Sequence, residues 1–316
     1  MLVTRPPASD TDDASADWLI KKHAITVLPT VASLQSLRRH FRQKTAHHSI
    51  ISFGNPLLDG DGNRASEDLS KAARKYQLCP VAQPKQPTKL AFSRSSAKAS
   101  LTRSGAINIA DVRSQPPLPD TADEVCAVAK ALGVDTGPNS MSINLGARAT
   151  EAKIKELNEN SELADFRIIH FATHGLIAGQ LKGTSEPGLI LTPPAKASAI
   201  DNGYLGASEV AELKLNADWV ILSACNTASG GANNAEALSG LARAFFYAGT
   251  RALLVSHWEV WSPAAVDLIT QTVQRAANGG RAQALREAML ALIKTGDHRS
   301  RPEWWAPFVI VGEGTK

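Results

Sequence analysis

Two residues of this chain have the types and the spacing to do covalent chemistry. His174 closes the apolar run "IIHFATHG" with Gly175 directly behind it, and Cys225 closes "WVILSAC" with "NTASGG" behind it. They stand about 50 residues apart, close enough in the chain for two neighbouring strands to bring them together. A thiol is mostly protonated near neutral pH, whereas the thiolate is the nucleophile, so an attacking cysteine needs a base. An imidazole can take that proton and later return it to a leaving amine. The oxyanion formed by the attack needs backbone N–H donors, for which Gly175 and Cys225 are the candidates, because glycine permits close approach. Each residue alone has a plain explanation. A cysteine in an apolar run is usually buried and inert, and a histidine at a strand end is usually a hydrogen-bonded surface group. The pair, each member at a strand end, points to nucleophilic catalysis. Metal binding by His170, His174 and Cys225 is the competing use. Four residues along a strand separate the two histidines by about 13 Å, and no second cysteine pair exists. Neither a metal nor another cofactor is therefore expected.

These residues must be positioned by strands, and the pattern around them supplies strands alternating with helices. Ile50–Phe53, Phe166–Phe171, Gly188–Leu191, Trp219–Ser223, Ala252–Val255 and the stretch "PFVIVG" read as strands. Helices are expected from Thr121, acting as cap with Asp123 and Glu124 in the first turn, to about Leu132, and from the cap Thr150 to about Leu157. Others fall at Ala207–Leu213, at Ala235–Ala248 before Gly249, from Ser262-Pro263, and at about Ala282–Ile293. Glu236 would favour the dipole at the head of its helix. This alternation implies an α/β protein, three layers α/β/α around a mostly parallel sheet. Reactive groups gather at the carboxyl ends of such strands, so His174 is expected to face the thiol from a neighbouring strand.

The organisation expected is a loose leader at 1–16, an N-terminal half at 17–115 and a second half at 116–316, with a Pro-, Ser- and Lys-rich linker over 80–119. Asp59, Asp61 and Asn63 alternate as in a calcium loop. Arg64 stands where the sharp-turn glycine belongs and Ser70 where the bidentate glutamate belongs, so a turn is expected. The net charge of +4 over 316 residues is scattered rather than striped, which argues against nucleic acid as partner. No apolar run has the length of a membrane span, and the N-terminus carries no apolar signal core. The three cysteines, Cys79, Cys126 and Cys225, are odd in number, which points to free thiols and a reducing, cytoplasmic location.

"HFATHG", "LSACNTASGG", "GLARAFFYAGTRALLVSHW" and "RPEWWAPFVIVG" together resemble the CHAT domain, a caspase-like cysteine peptidase family of clan CD related to separase. "DWLIKKHAITVLP" and "SFGNPLLDG" are similar to its N-terminal half, and "PLPDTADEV" to the start of its catalytic half. The resemblance implies a caspase-like fold with a degenerate N-terminal half, His174 as base or proton shuttle, Cys225 as nucleophile, Gly175 in the oxyanion hole, and a protein substrate. The family often joins this domain to TPR or other repeat modules. None occurs in these residues, so such a module would be missing or on another chain. The chain also begins late relative to the family pattern, which implies a fragment. One departure concerns specificity. After the strand ending "SHW" the family commonly has an acidic pair, which in separase-like relatives receives a basic substrate side chain. Trp261 and Ser262 stand there, and Glu259 is the acid nearby. A buried cation without a counter-charge is costly, so weak preference for Arg or Lys before the scissile bond is expected. Trp258, Glu259 and Trp261 are the candidate substrate-binding residues, although a tryptophan that packs the core is commoner. The loop Leu176–Pro187 reads as a substrate wall or lid, or as a plain surface loop. Two rival functions use the same residues: a catalytically silent caspase-like regulatory or protein-binding module, and a hydrolase or acyl-transfer enzyme for small amides.

Overall fold

Runs such as Ile50-Ile51 and Trp219-Val220-Ile221-Leu222 present apolar side chains to both faces, as strands covered on both sides must. The computed structural model describes residues 3–6, 15–28, 46–80, 107–223, 235–258, 260, 262–277 and 279–315. Cys225, Glu259 and Trp261 lie outside them, as does the side chain of Glu236.

The strands are β1 (Thr26–Val27), β2 (His48–Gly54), β3 (Ile143–Leu145), β4 (Phe166–Ala172), β5 (Gly175–Leu176), β6 (Gly188–Ile190), β7 (Tyr204–Gly206), β8 (Trp219–Leu222), β9 (Ala252–Ser256) and β10 (Phe308–Gly312). Seven form one sheet in the order β1-β10-β9-β8-β4-β2-β3. Every neighbouring pair is parallel except β9 and β10. β2 runs between β4 and β3, so residues of the expected N-terminal half contribute to the same sheet as the expected catalytic half. A second, antiparallel sheet has the order β5-β6-β7.

The helices are α1 (Arg64–Lys75), α2 (Ile109–Arg113), α3 (Thr121–Ala131), α4 (Glu151–Glu159), α5 (Ala207–Ala211), α6 (Ala235–Ala248), α7 (Ser262–Ala276), α8 (Arg281–Ile293) and α9 (Pro302–Trp305). Strand periodicity assigns them to layers. Phe53, Ile169, Phe171 and Leu222 point to one face, where they meet Leu157 of α4 and Leu241 and Phe245 of α6. The rings of Phe53, Phe171 and Phe245 follow one another at centroid distances of 5.5 and 5.9 Å. Ile50, Ile168, Trp219 and Ile221 point to the other face, against α3, α7 and α8. The result is an α/β/α sandwich. Gly249 ends α6 at φ +111°, where a Cβ would collide with the carbonyl of Leu215.

The structure corrects several local expectations. Thr121 is not the cap of α3. Asp120 holds that position, and the Thr121 hydroxyl donates to the Leu118 carbonyl while accepting from Asn55 N–H. Residues 59–63 do turn, as expected, and Asn63 then caps α1 by accepting from Ser66 N–H. α2 lies inside the stretch read as linker, with Val112 fully buried. In the 176–187 loop, Leu181 is buried against Leu58, Val112 and Tyr204.

The expectation of free thiols fails for two of the three cysteines. Cys79 and Cys126 form a disulfide. An odd count leaves open which two residues meet, and the docking of α3 beside the chain leaving α1 brings this pair together. The reason for reading a reducing compartment is thereby removed. Among the described residues, no helix is long and apolar enough to cross a membrane.

Candidate functional site at the carboxyl rim

β4 and β8 are adjacent and parallel, with Phe171 opposite Leu222. Ser223 N–H extends the pairing by donating to the Phe171 carbonyl at 2.9 Å. The two chains therefore leave the sheet at the same rim and at the same level. His174 follows two residues after the end of β4. Cys225 follows Ser223 by two residues and lies outside the described residues. β9 is the next strand along, with Val255 opposite Leu222. Trp258 thus emerges at this rim too, 42% exposed and stacked on His257.

His174 is half-buried, and its Nε2 lies 2.7 Å from the Pro116 carbonyl oxygen. A carbonyl only accepts, so Nε2 carries the proton and Nδ1 keeps its lone pair for a second partner. The carbonyl is available because Pro116 opens the run "PPLP", in which the proline nitrogens have no N–H to bond it. Burial pulls the imidazole below its usual pKa, and the Pro116 bond opposes this only in part. A lowered pKa favours the neutral ring, the form a base requires. Sequence reasoning missed Pro116 because a backbone carbonyl has no residue signature.

Gly175 opens β5, opposite Leu189. Ile190 N–H donates to the His174 carbonyl at 2.9 Å, which makes Gly175 and Leu189 the non-hydrogen-bonded pair of the ladder. The Gly175 amide is accordingly turned away from β6.

Beneath the rim lies a buried polar trio that the sequence did not announce. Glu124 is 2% exposed and His170 fully buried. One carboxylate oxygen of Glu124 is 2.8 Å from His170 Nε2, and the other accepts from Ser223 Oγ at 2.9 Å. Glu124 had an evident role as a first-turn acid of α3, and nothing in its local sequence indicated β4 or β8 as its partners. His170 thus turns to a carboxylate in the core. Among the described residues, no group of three or more His, Cys, Asp or Glu side chains is arranged to hold a metal ion.

A mostly parallel sheet between helical layers, with a histidine at its carboxyl rim beside the strand that leads to a cysteine, defines a three-layer α/β/α protein. The chain belongs to the CHAT domain family, whose pattern matches residues 4–313. It is 25% identical over 227 residues to mouse (Mus musculus) tetratricopeptide repeat protein 28, a match covering 63% of this chain and 9% of that protein. The human (Homo sapiens) protein of that name is 24% identical over 229 residues, with the same coverage. This chain thus spans about a tenth of the length of these curated relatives. The crystal structure of the Saccharomyces cerevisiae separase–securin complex contains a chain with a TM-score of 0.45 and 13% identity. That match covers 93% of this chain and 14% of that one.

Proposed function

We propose that the protein is a cysteine endopeptidase that cleaves a protein substrate through His174 and Cys225. Nδ1 of His174 takes the thiol proton, and the thiolate attacks the scissile carbonyl carbon. The resulting oxyanion accepts from the amides of Gly175 and Cys225. Collapse of the tetrahedral species expels the amine, which leaves with the proton from His174, and water then hydrolyses the thioester. The observation that carries this reading is His174, pinned through Nε2 to the Pro116 carbonyl at the exit of the strand beside the one leading to Cys225. Membership of the CHAT domain family supports it. Similarity to tetratricopeptide repeat proteins supports a repeat module, in a longer protein or on another chain, that presents the substrate or controls cleavage.

Cys225→Ala should abolish cleavage while leaving the far-UV circular dichroism spectrum unchanged. Undiminished cleavage by this variant would reject the assignment. Substrate choice is expected to avoid strong dependence on a basic side chain, because Trp261 and Ser262 stand where the family's acids commonly fall. Profiling with a peptide library measures this, and a dominant Arg or Lys signal before the cleaved bond would defeat it.

A further inference from the structure

We infer that Glu124 is a positioning residue for the proposed peptidase, holding the two strand exits that lead to His174 and Cys225 at one level through a single buried carboxylate. The inference rests on the peptidase reading. One carboxylate oxygen accepts from His170, four residues before His174 on β4. The other accepts from Ser223, two residues before Cys225. The carboxylate is withdrawn from solvent, where hydrogen bonds are stronger and hold geometry more tightly than in water.

The support beneath Glu124 is itself anchored. α3 is tied to the end of β2 by the bond from Asn55 N–H to Thr121 Oγ1 at 2.8 Å, and to the chain after α1 by the disulfide at Cys126. A reacting group keeps its geometry only when the side chains behind it sit on rigid elements of this kind. Stability alone does not explain the trio. A well-packed apolar side chain commonly serves a core as well as a buried ionisable group does. Among the described residues, moreover, His170 Nδ1 has no hydrogen-bond partner, so there the cluster is not a fully satisfied packing unit. The carboxylate does span β4 and β8 directly below the rim where the chemistry would occur.

Iodoacetamide labelling of the unreduced protein tests this. Cys79 and Cys126 are paired with each other, so Cys225 is the third cysteine and the one read by the reagent. Labelling rates at Cys225 would be followed by mass spectrometry for the wild type, Glu124→Gln, Ser223→Ala and Ser223→Thr, with circular dichroism and thermal melting as checks of folding. The wild-type thiol should react faster than glutathione. Glu124→Gln and Ser223→Ala should slow it about tenfold or more, as displacement of a reacting group does. Ser223→Thr keeps the hydroxyl and should stay near the wild-type rate, which a simple packing role would not predict. Folded Glu124→Gln and Ser223→Ala variants that label at the wild-type rate would overturn the inference and leave the peptidase reading standing. A wild-type rate no faster than that of glutathione would remove the peptidase reading and this inference with it. Should Glu124→Gln fail to fold, Ser223→Ala decides by the same criterion.

Discussion

A histidine whose Nε2 is committed to a backbone carbonyl can offer only Nδ1 to a thiol, and only while the ring is neutral. The Pro116 contact meets the first condition for His174, and burial, which lowers its affinity for a proton, favours the second. The acid limb of kcat/KM should therefore fall below the ordinary imidazole value of 6.5. A pH–rate profile on a peptide substrate measures it, and a midpoint at or above that value would show that burial does not depress the ring. The linkage follows the same sign. The folded ring binds its proton later than the unfolded one as pH falls, so His174 weakens folding only below about pH 6.5, in the window down to its depressed value. At this scale His174 and Gly175 were legible because an imidazole and a glycine interrupt an apolar run. Pro116 and Glu124 were not, because what matters in them is the distant atom they meet.

Helix α4 begins on an acid that is buried for a reason other than its dipole. Glu151 is fully buried, with its carboxylate accepting from Lys155 Nζ at 2.6 Å and from Asn202 N–H at 2.7 Å. Removal from water outweighs these partners and pushes its pKa up to about 7, with the nearby Glu209 charge adding to the effect. The folded state therefore holds a proton that the unfolded chain releases near 4.5. Stability should fall as pH rises from about 5 to 7. Denaturant unfolding at pH 5 and pH 8 measures the slope, and Glu151→Gln should flatten it. A slope of the opposite sign in the wild type would mean that Lys155 dominates. Most elements were legible from period and punctuation, including α6 with its Gly249 stop and β8 with its continuous apolar run. The cap of α3 was misread because residues 118–120 already turn into the helix, which places Thr121 inside it.

Across the whole molecule, covalent and ionic ties join parts that lie far apart in sequence. The disulfide closes a separation of 47 residues, pinning the chain after α1 to α3. By chain entropy such a link contributes about 2–4 kcal/mol. Reductant, or Cys126→Ser, should lower the midpoint of unfolding correspondingly, and an unmoved midpoint would show that the bridge adds nothing to stability. Asp218 ties the chain just before β8 to Arg167, just inside β4, at 2.8 Å, and to Arg251, just before β9, at the same distance. Arg281 of α8 joins them, 3.6 Å from Asp218 and 3.2 Å from Glu313, which follows β10. These pairs lie at the amino ends of the parallel strands, opposite the rim that carries His174.

Alternating apolar runs, glycine stops and capping residues determined the layers of this protein, because local periodicity states which face of an element must be buried. The oddness of His174 and Cys225 within those runs determined where to look for chemistry. Only the tertiary structure decided which strands are neighbours, that Cys79 meets Cys126, and that Glu124 joins His170 to Ser223. A side chain's type limits the partners it can satisfy, but the packing of whole helices on a sheet selects among them.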